Sequence, residues 1–93
     1  PMRYTLIDRI IELEPGSNER FKGTLDAARP TEIAGRPVRS SDRTDGWRYF
    51  IDDGWLLFRL SGTEPLLRIY TEVTSSTLVR PVLDAGRQIA GLA

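Results

Sequence analysis

The sequence predicts an α+β domain, a four-stranded and mostly antiparallel sheet with flanking helices. Residues 38–73 contain alternating, aromatic-rich segments separated by short turn motifs, which is typical of strands joined by hairpins. The segments on either side carry apolar residues at helical spacing. A length of 93 residues provides one hydrophobic core, so we expect a single domain in which helices cover one face of the sheet.

The N-terminal segment, residues 1–14, precedes the predicted domain. Its apolar residues fit either a helical face or an extended arm, and we favour the extended form. They are Leu6, Ile7, Ile10, Ile11 and Leu13. Because the chain begins Pro1-Met2-Arg3, we expect a domain cut from a longer protein. Residues 1–14 would then be an inter-domain arm or linker, and residues 15–93 the domain itself.

The first helix is expected directly after Pro15-Gly16-Ser17. Ser17 is a suitable N-cap residue, and Phe21, Leu25 and Ala28 recur at helical spacing on one face. Pro30 is expected to end the helix.

Four strands are expected between residues 38 and 73. They are residues 38–42, 47–51, 55–60 and 66–73. The turns Arg43-Thr44-Asp45-Gly46 and Asp52-Asp53-Gly54 separate the first three, and the second of these is a strong hairpin signal. In the last strand Leu67, Ile69, Thr71 and Val73 share one face, which we expect to be buried.

A second helix is expected to close the chain. Ser75-Ser76-Thr77 offers hydroxyl groups for its N-terminus, and apolar residues follow at helical spacing up to Leu92. Pro81 is expected to weaken or kink its first turns, because proline removes a helical hydrogen bond.

The composition excludes several classes of function. The chain has no cysteine and no histidine, which removes disulfides, thiolate nucleophiles, imidazole chemistry and zinc sites built on these residues. Lys+Arg and Asp+Glu are equal at 13 each, so we expect no broad surface for nucleic acid or anionic lipid. No apolar run approaches the roughly 20 residues of a membrane helix, and a signal-peptide pattern is missing. We expect a soluble, cytoplasmic protein.

An anion-binding site is predicted where the last two strands meet. If Leu60 faces Leu67, the same register places Arg59 opposite Arg68 on the reverse side of the sheet. Like charges directly opposite each other destabilise an antiparallel pair unless an anion lies between them. The loop between the strands offers donors for such an anion. Ser61 and Thr63 supply hydroxyls, and Gly62 allows close backbone approach or a positive φ.

The alternative is an ordinary polar turn in which each arginine pairs with a carboxylate: Asp52, Asp53, Glu64 or Glu72. Ser61 is a poor candidate for a nucleophile, because the chain offers no histidine base and no Gly-x-Ser-x-Gly motif. Asp52 and Asp53 are better explained by the hairpin turn than by a metal or acid–base site.

The run from Arg59 to Tyr70, RLSGTEPLLRIY, closely resembles the phosphate-binding loop of the α-D-phosphohexomutases. This family comprises phosphoglucomutases, phosphomannomutases and phosphoglucosamine mutases. The Thr44-Asp45-Gly46 turn, the Asp53-Gly54 hairpin and the closing helix are similar to those of the family's fourth, C-terminal domain. The resemblance covers roughly residues 17–93 and is strongest over 44–73.

The resemblance implies a substrate-phosphate-binding domain of an enzyme that interconverts hexose 1-phosphate and hexose 6-phosphate. It assigns the phosphate contacts to Arg59, Ser61, Gly62, Thr63 and Arg68. It also implies a phosphoserine and Mg²⁺ supplied from outside this segment, so the fragment alone would be inactive. Its expected partners are hexose phosphates and the other domains of the same enzyme, with no nucleic acid and no membrane. The resemblance also implies that this domain swings to close the substrate cleft of the whole enzyme, with the hinge in residues 1–14.

Two positions bear on how the resemblance is applied. Leu60 stands where many relatives carry proline, which should leave the empty loop slightly more mobile. Tyr70 favours a phosphoglucomutase/phosphomannomutase, because phosphoglucosamine mutases often carry a non-aromatic residue there.

Two further classes of function remain open. Trp47, Tyr49 and Trp55 could form an exposed patch for a protein partner, although aromatic residues in strands more often belong to the core. Arg48, Arg59 and Arg68 together with aromatic residues could form a weak RNA-binding face.

Overall fold

The structure, a computed structural model, describes residues 3–92, and their side chains except those of Ile7 and Asp8. Its elements in chain order are β1 (Tyr4–Glu12), α1 (Asn18–Ala28), β2 (Glu32–Ile33), β3 (Arg36–Pro37), β4 (Ser40–Asp42), β5 (Trp47–Ile51), β6 (Gly54–Leu60), β7 (Leu66–Val73) and α2 (Ser76–Ile89). Within residues 3–92, five strands form the main sheet in the order β1-β7-β6-β5-β4, and β2 pairs with β3 separately. Every pairing is antiparallel, which confirms the α+β class.

The main sheet has one strand more than expected, because the N-terminal segment joins it at the edge. Tyr4 pairs with Val73 and Glu12 with Leu66, and the register shifts between Ile7 and Arg9. The extended form is confirmed for Tyr4–Glu12, whereas residues 1 and 2 lie outside the described residues. The irregularity explains why the strand was not predicted: one extra residue shifts the alternation, so apolar residues fall on both faces.

Helix α1 begins and ends as expected, but two details of the prediction are wrong. Ser17 occupies the N-cap position without a capping bond, since its hydroxyl donates instead to the Glu14 carbonyl at 2.7 Å. Ala28 is exposed, so only Phe21 and Leu25 are buried from the predicted apolar face. The helix ends at Arg29, which adopts a left-handed conformation just before Pro30.

The turns of the main sheet confirm the hairpin prediction. Ile51 pairs with Gly54, so Asp52 and Asp53 form a two-residue turn. Gly46 and Gly54 both have positive φ, and a Cβ at either position would collide with a backbone carbonyl of the neighbouring strand. Glycine is therefore required at both turns. Strand β4 is shorter than the predicted 38–42 segment.

The core lies on one face of the sheet. Leu67, Ile69, Thr71 and Val73 of β7 are all fully buried, as predicted, and the Thr71 hydroxyl donates to the Trp55 carbonyl at 2.6 Å. Helix α2 covers these residues with its buried apolar face, which includes Val79, Val82 and Leu83.

Helix α2 starts at the predicted cap and is not interrupted by its proline. Ser75 Oγ accepts a hydrogen bond from the Thr77 amide at 3.4 Å, and Pro81 lies inside the continuous helix Ser76–Ile89. No helix in residues 3–92 is long and apolar enough to cross a membrane.

The aromatic residues divide between the two faces of the sheet. Trp47 and Tyr49 are buried in the core, as expected, with 6% and 7% exposure. Trp55 is half-buried on the reverse face, where the Arg48 guanidinium lies 4.9 Å from the centre of its ring. The register places Arg48, Arg59 and Arg68 on this same face.

Candidate anion-binding site

The candidate site begins with the pairing of β6 and β7. Phe58 pairs with Ile69, Arg59 with Arg68, and Leu60 with Leu67, which is the register predicted from the apolar residues. Phe58 and Ile69 are fully buried, so alternation turns Arg59 and Arg68 toward the reverse face, where both are exposed. The core packing of these strands therefore brings two positive charges side by side.

Neither of these arginines is neutralised by a side chain that the structure describes. Among the side chains described in residues 3–92, Arg59 and Arg68 form no ion pair and no hydrogen bond. Three of the carboxylates that could have paired with them bind other arginines: Asp52 with Arg39 at 3.0 Å, Asp53 with Arg36 at 3.2 Å and Glu72 with Arg3 at 3.6 Å. The hydrogen bond from Arg39 holds the pKa of Asp52 below its usual range.

The loop of residues 61–65, which we call the anion loop, is ordered by its own hydrogen bonds. The Ser61 amide donates to the Leu66 carbonyl at 3.0 Å, and the Leu66 amide donates to the Glu64 carbonyl at 2.8 Å. Ser61 Oγ accepts from the amides of Thr63 at 3.4 Å and Glu64 at 3.1 Å. Since these bonds use the lone pairs of the hydroxyl, its hydrogen remains able to donate.

Gly62 supports only one of the two roles expected for it. Its φ is not positive, so of the two alternatives the left-handed conformation is not adopted. A Cβ at Gly62 would meet nothing within 4 Å, so the backbone is open to close approach on that side. No hydrogen bond of the Gly62 amide occurs within the described residues.

A shallow cleft joins the arginines to the loop. It has a volume of about 260 Å³ and is lined by Arg59, Leu60, Ser61, Gly62 and Arg68. Four of the five predicted phosphate contacts therefore share one cleft. Thr63 belongs to the anion loop but is not among the residues that line the cleft.

The other side of the anion loop rests on the chain around the start of α1. Asn18 Nδ2 donates to the carbonyls of Ser61 and Glu64, both at 3.0 Å, and the Leu13 amide donates to the Pro65 carbonyl at 2.7 Å. These contacts are not predictable from the sequence. They join residues more than 40 positions apart, and no local pattern distinguishes Asn18 from an ordinary helix-start residue.

A separate polar cluster connects α1 to β5. Asp26 Oδ1 accepts a hydrogen bond from the Trp47 indole at 2.9 Å, and the Arg43 guanidinium lies 3.9 Å from the centre of the Trp47 ring. The Trp47 hydrogen bond, followed by that from Lys22, lowers the pKa of Asp26 below its usual range. This cluster holds a helix to the sheet and lies apart from the anion loop.

The chemistry available at the cleft is that of anion binding. Two guanidinium groups, a hydroxyl and a backbone amide are all donors to oxyanions. In residues 3–92, apart from the side chains not described, no group of three or more acidic residues is arranged to hold a metal ion.

Comparisons with known proteins point to one family. The family model of the phosphoglucomutase/phosphomannomutase C-terminal domain matches residues 18–87. A phosphoglucomutase/phosphomannomutase of Thermococcus kodakarensis is 42% identical over 59 residues, which is 63% of this chain and 13% of the relative. A probable phosphoglucosamine mutase of Methanopyrus kandleri is 51% identical over 43 residues, 46% of this chain and 10% of the relative.

A solved structure has the same fold. This protein of Burkholderia thailandensis, described as a phosphoglucomutase/phosphomannomutase family protein, matches 96% of the chain and 17% of its own length, with a TM-score of 0.68 and 22% identity. The chain thus spans less than a fifth of the length of each of these three proteins.

Proposed function

Because this chain belongs to the phosphoglucomutase/phosphomannomutase family, we propose that it binds the phosphate group of a hexose phosphate at the cleft between Arg59, Arg68 and the anion loop. One observation carries the proposal: two arginines lie directly opposite each other and have no counter-charge among the described side chains. A phosphate dianion between them would remove the repulsion and accept hydrogen bonds from both guanidinium groups.

Each residue of the cleft has a distinct role in this proposal. Arg59 and Arg68 supply charge and forked donors, which match the oxygens of a phosphate better than lysine would. Ser61 donates its hydroxyl hydrogen, and Gly62 offers its amide without a side chain in the way. Thr63, in the same loop, would contact the phosphate through its own hydroxyl if the loop closes over the bound ligand.

The role of such a site in a mutase is to position the substrate. In an enzyme that interconverts hexose 1-phosphate and hexose 6-phosphate, gripping the phosphate that does not react orients the sugar for transfer of the other one. The site must then accept a phosphate attached at either end of the sugar. We therefore expect it to recognise the phosphate more strongly than the ring.

The phosphoserine and the Mg²⁺ of this reaction would come from outside the chain. Three carboxylates near the sheet, Asp52, Asp53 and Glu72, are engaged by arginines and do not fit a metal site. We propose that the isolated chain is inactive and that its partners are the other domains of the same enzyme. Strand β1, which is paired with β7 from Tyr4 to Glu12, would move with this domain and carry the connection to them.

An amide-resolved NMR titration of the chain tests this function. The ligands are glucose 1-phosphate, glucose 6-phosphate and inorganic phosphate, with glucose as the uncharged control. We expect saturable shifts centred on Ser61, Gly62 and Thr63 with all three phosphates and none with glucose. Shifts elsewhere in the domain, or equal shifts with glucose, would contradict the assignment.

A further inference from the structure

Asn18 lies outside the cleft but holds the loop that lines it. It is the first residue of α1, and it is half-buried. Both hydrogens of its side-chain amide are used, one on the Ser61 carbonyl and one on the Glu64 carbonyl. One side chain therefore fixes two peptide groups at the two ends of the tight part of the anion loop.

The bond to Ser61 has a consequence for the next amide. The Ser61 carbonyl and the Gly62 N–H belong to the same planar peptide group, and in a trans peptide they point in opposite directions. By drawing the Ser61 carbonyl toward α1, Asn18 turns the Gly62 N–H away from the helix. That N–H has no acceptor within the described residues and lies on a residue that lines the cleft.

We propose that Asn18 is a positioning residue, which aims the Gly62 amide at the anion bound between Arg59 and Arg68. The proposal rests on the phosphate-binding function proposed above. Asn18 also keeps two carbonyl oxygens, which would repel an anion, bonded on the helix side of the loop. Its contribution is thus to the direction of the loop dipoles and not to the charge of the site.

Replacing Asn18 by leucine is the primary test. Leucine has nearly the same shape and suits a helix better than asparagine does, but it donates no hydrogen bond. Without these bonds the Ser61–Gly62 peptide can rotate, and one donor to the anion is lost. We expect the Kd for inorganic phosphate to rise by roughly ten- to a hundredfold, as for the loss of one charge-assisted hydrogen bond.

Two further variants separate positioning from stability. Asn18→Gln keeps the amide donors on a longer side chain and should restore part of the affinity. Leu25→Val removes a methylene group from the core of the same helix, where Leu25 is 1% exposed. It should lower the melting temperature and leave phosphate binding unchanged.

The decisive readout is the phosphate-induced shift of the Gly62 amide proton. In the wild-type chain, inorganic phosphate should move this resonance downfield, and Leu25→Val should preserve the movement. In Asn18→Leu the movement should be lost or strongly reduced, even at phosphate concentrations that saturate the variant, because the amide no longer points at the anion.

The two proposals fail in different ways. No response of the wild-type loop to phosphate would overturn the phosphate-binding function and this inference with it. A wild-type response that Asn18→Leu reproduces, in both Kd and Gly62 shift, would overturn the role of Asn18 alone. So would a weakened variant whose Gly62 shift at saturation is normal, since a loss of general stability explains that result.

Discussion

Replacing Arg68 by glutamine should move stability and phosphate binding in opposite directions. The substitution removes one of two positive charges that lie opposite each other on β6 and β7. Without a bound anion the charges repel, so the variant should be more stable than the wild type. With phosphate present, the variant lacks half of the proposed charge clamp and should gain much less stability from the ligand.

The size of the effect follows from the register. Directly opposed residues have Cβ atoms about 5 Å apart, and with the guanidinium groups at about 7 Å their repulsion in a water-like dielectric is about 0.6 kcal/mol before screening. For a domain of this size, a gain of about 0.5 kcal/mol corresponds to an increase in melting temperature of roughly 2–4 °C. Salt at about 1 M shortens the screening length to roughly 3 Å and should abolish the gain.

The assay is thermal unfolding in a phosphate-free buffer at about 10 mM and about 1 M ionic strength. Arg80→Gln is the matched control, because Arg80 is an exposed arginine on α2 and its loss changes the net charge equally. We expect the control to show no salt-dependent gain.

Phosphate provides the second arm of the experiment. At a concentration about ten times its Kd, phosphate should stabilise the wild type by about 1.4 kcal/mol. Arg68→Gln should show a much smaller increase at that concentration. A lower melting temperature for Arg68→Gln at low salt, together with an unchanged response to phosphate, would refute the reasoning about the pair.

Three other outcomes are expected. The pKa of Asp26 is lowered, so its ionised form stabilises the fold above the ordinary carboxyl range, and this stability is lost as the pH falls through the lowered pKa. Below about pH 5 the melting temperature should therefore fall more steeply for the wild type than for Asp26→Asn. Parallel plots of melting temperature against pH would contradict the Trp47 hydrogen bond. In urea unfolding, Gly46→Ala should lower the free energy of unfolding by about 1–3 kcal/mol, because the new Cβ would collide with the Phe58 carbonyl. Gly62→Ala should leave the free energy of unfolding unchanged and weaken phosphate binding. Fluorescence anisotropy with labelled oligonucleotides should detect no saturable binding, since zero net charge offers little attraction to a polyanion; tight, salt-dependent binding would revive the nucleic-acid alternative.

The central hairpins could be predicted because their signals are local. The Asp52–Gly54 turn sets the register of β5 and β6, and the alternation of β7 sets which side is buried. Once the apolar faces are matched, the opposition of Arg59 and Arg68 follows from geometry alone. Strand β1 could not be predicted in the same way, because its irregularity breaks the period from which strands are recognised.

The details of the anion loop depended on contacts that no local pattern encodes. Ser61 Oγ and Asn18 hold the loop through hydrogen bonds that residue type alone does not predict, and neither the φ of Gly62 nor the exposed position of Thr63 was evident from the sequence. Likewise, Ser17 was expected to cap α1 from its residue type, but an acceptor at Glu14 lies within its reach. Residue type indicated which groups can donate, and only the folded chain determines where they point.

The balance of charge in the domain limits how a ligand is captured. The net charge of the chain is zero, and at physiological ionic strength the Debye length is about 8 Å, so at larger distances the field of Arg59 and Arg68 is largely screened. A phosphate ester in solution would therefore not be steered toward the cleft from a distance. Its rate of arrival should depend little on salt, and selectivity for phosphate should reside in the rate at which the ligand leaves.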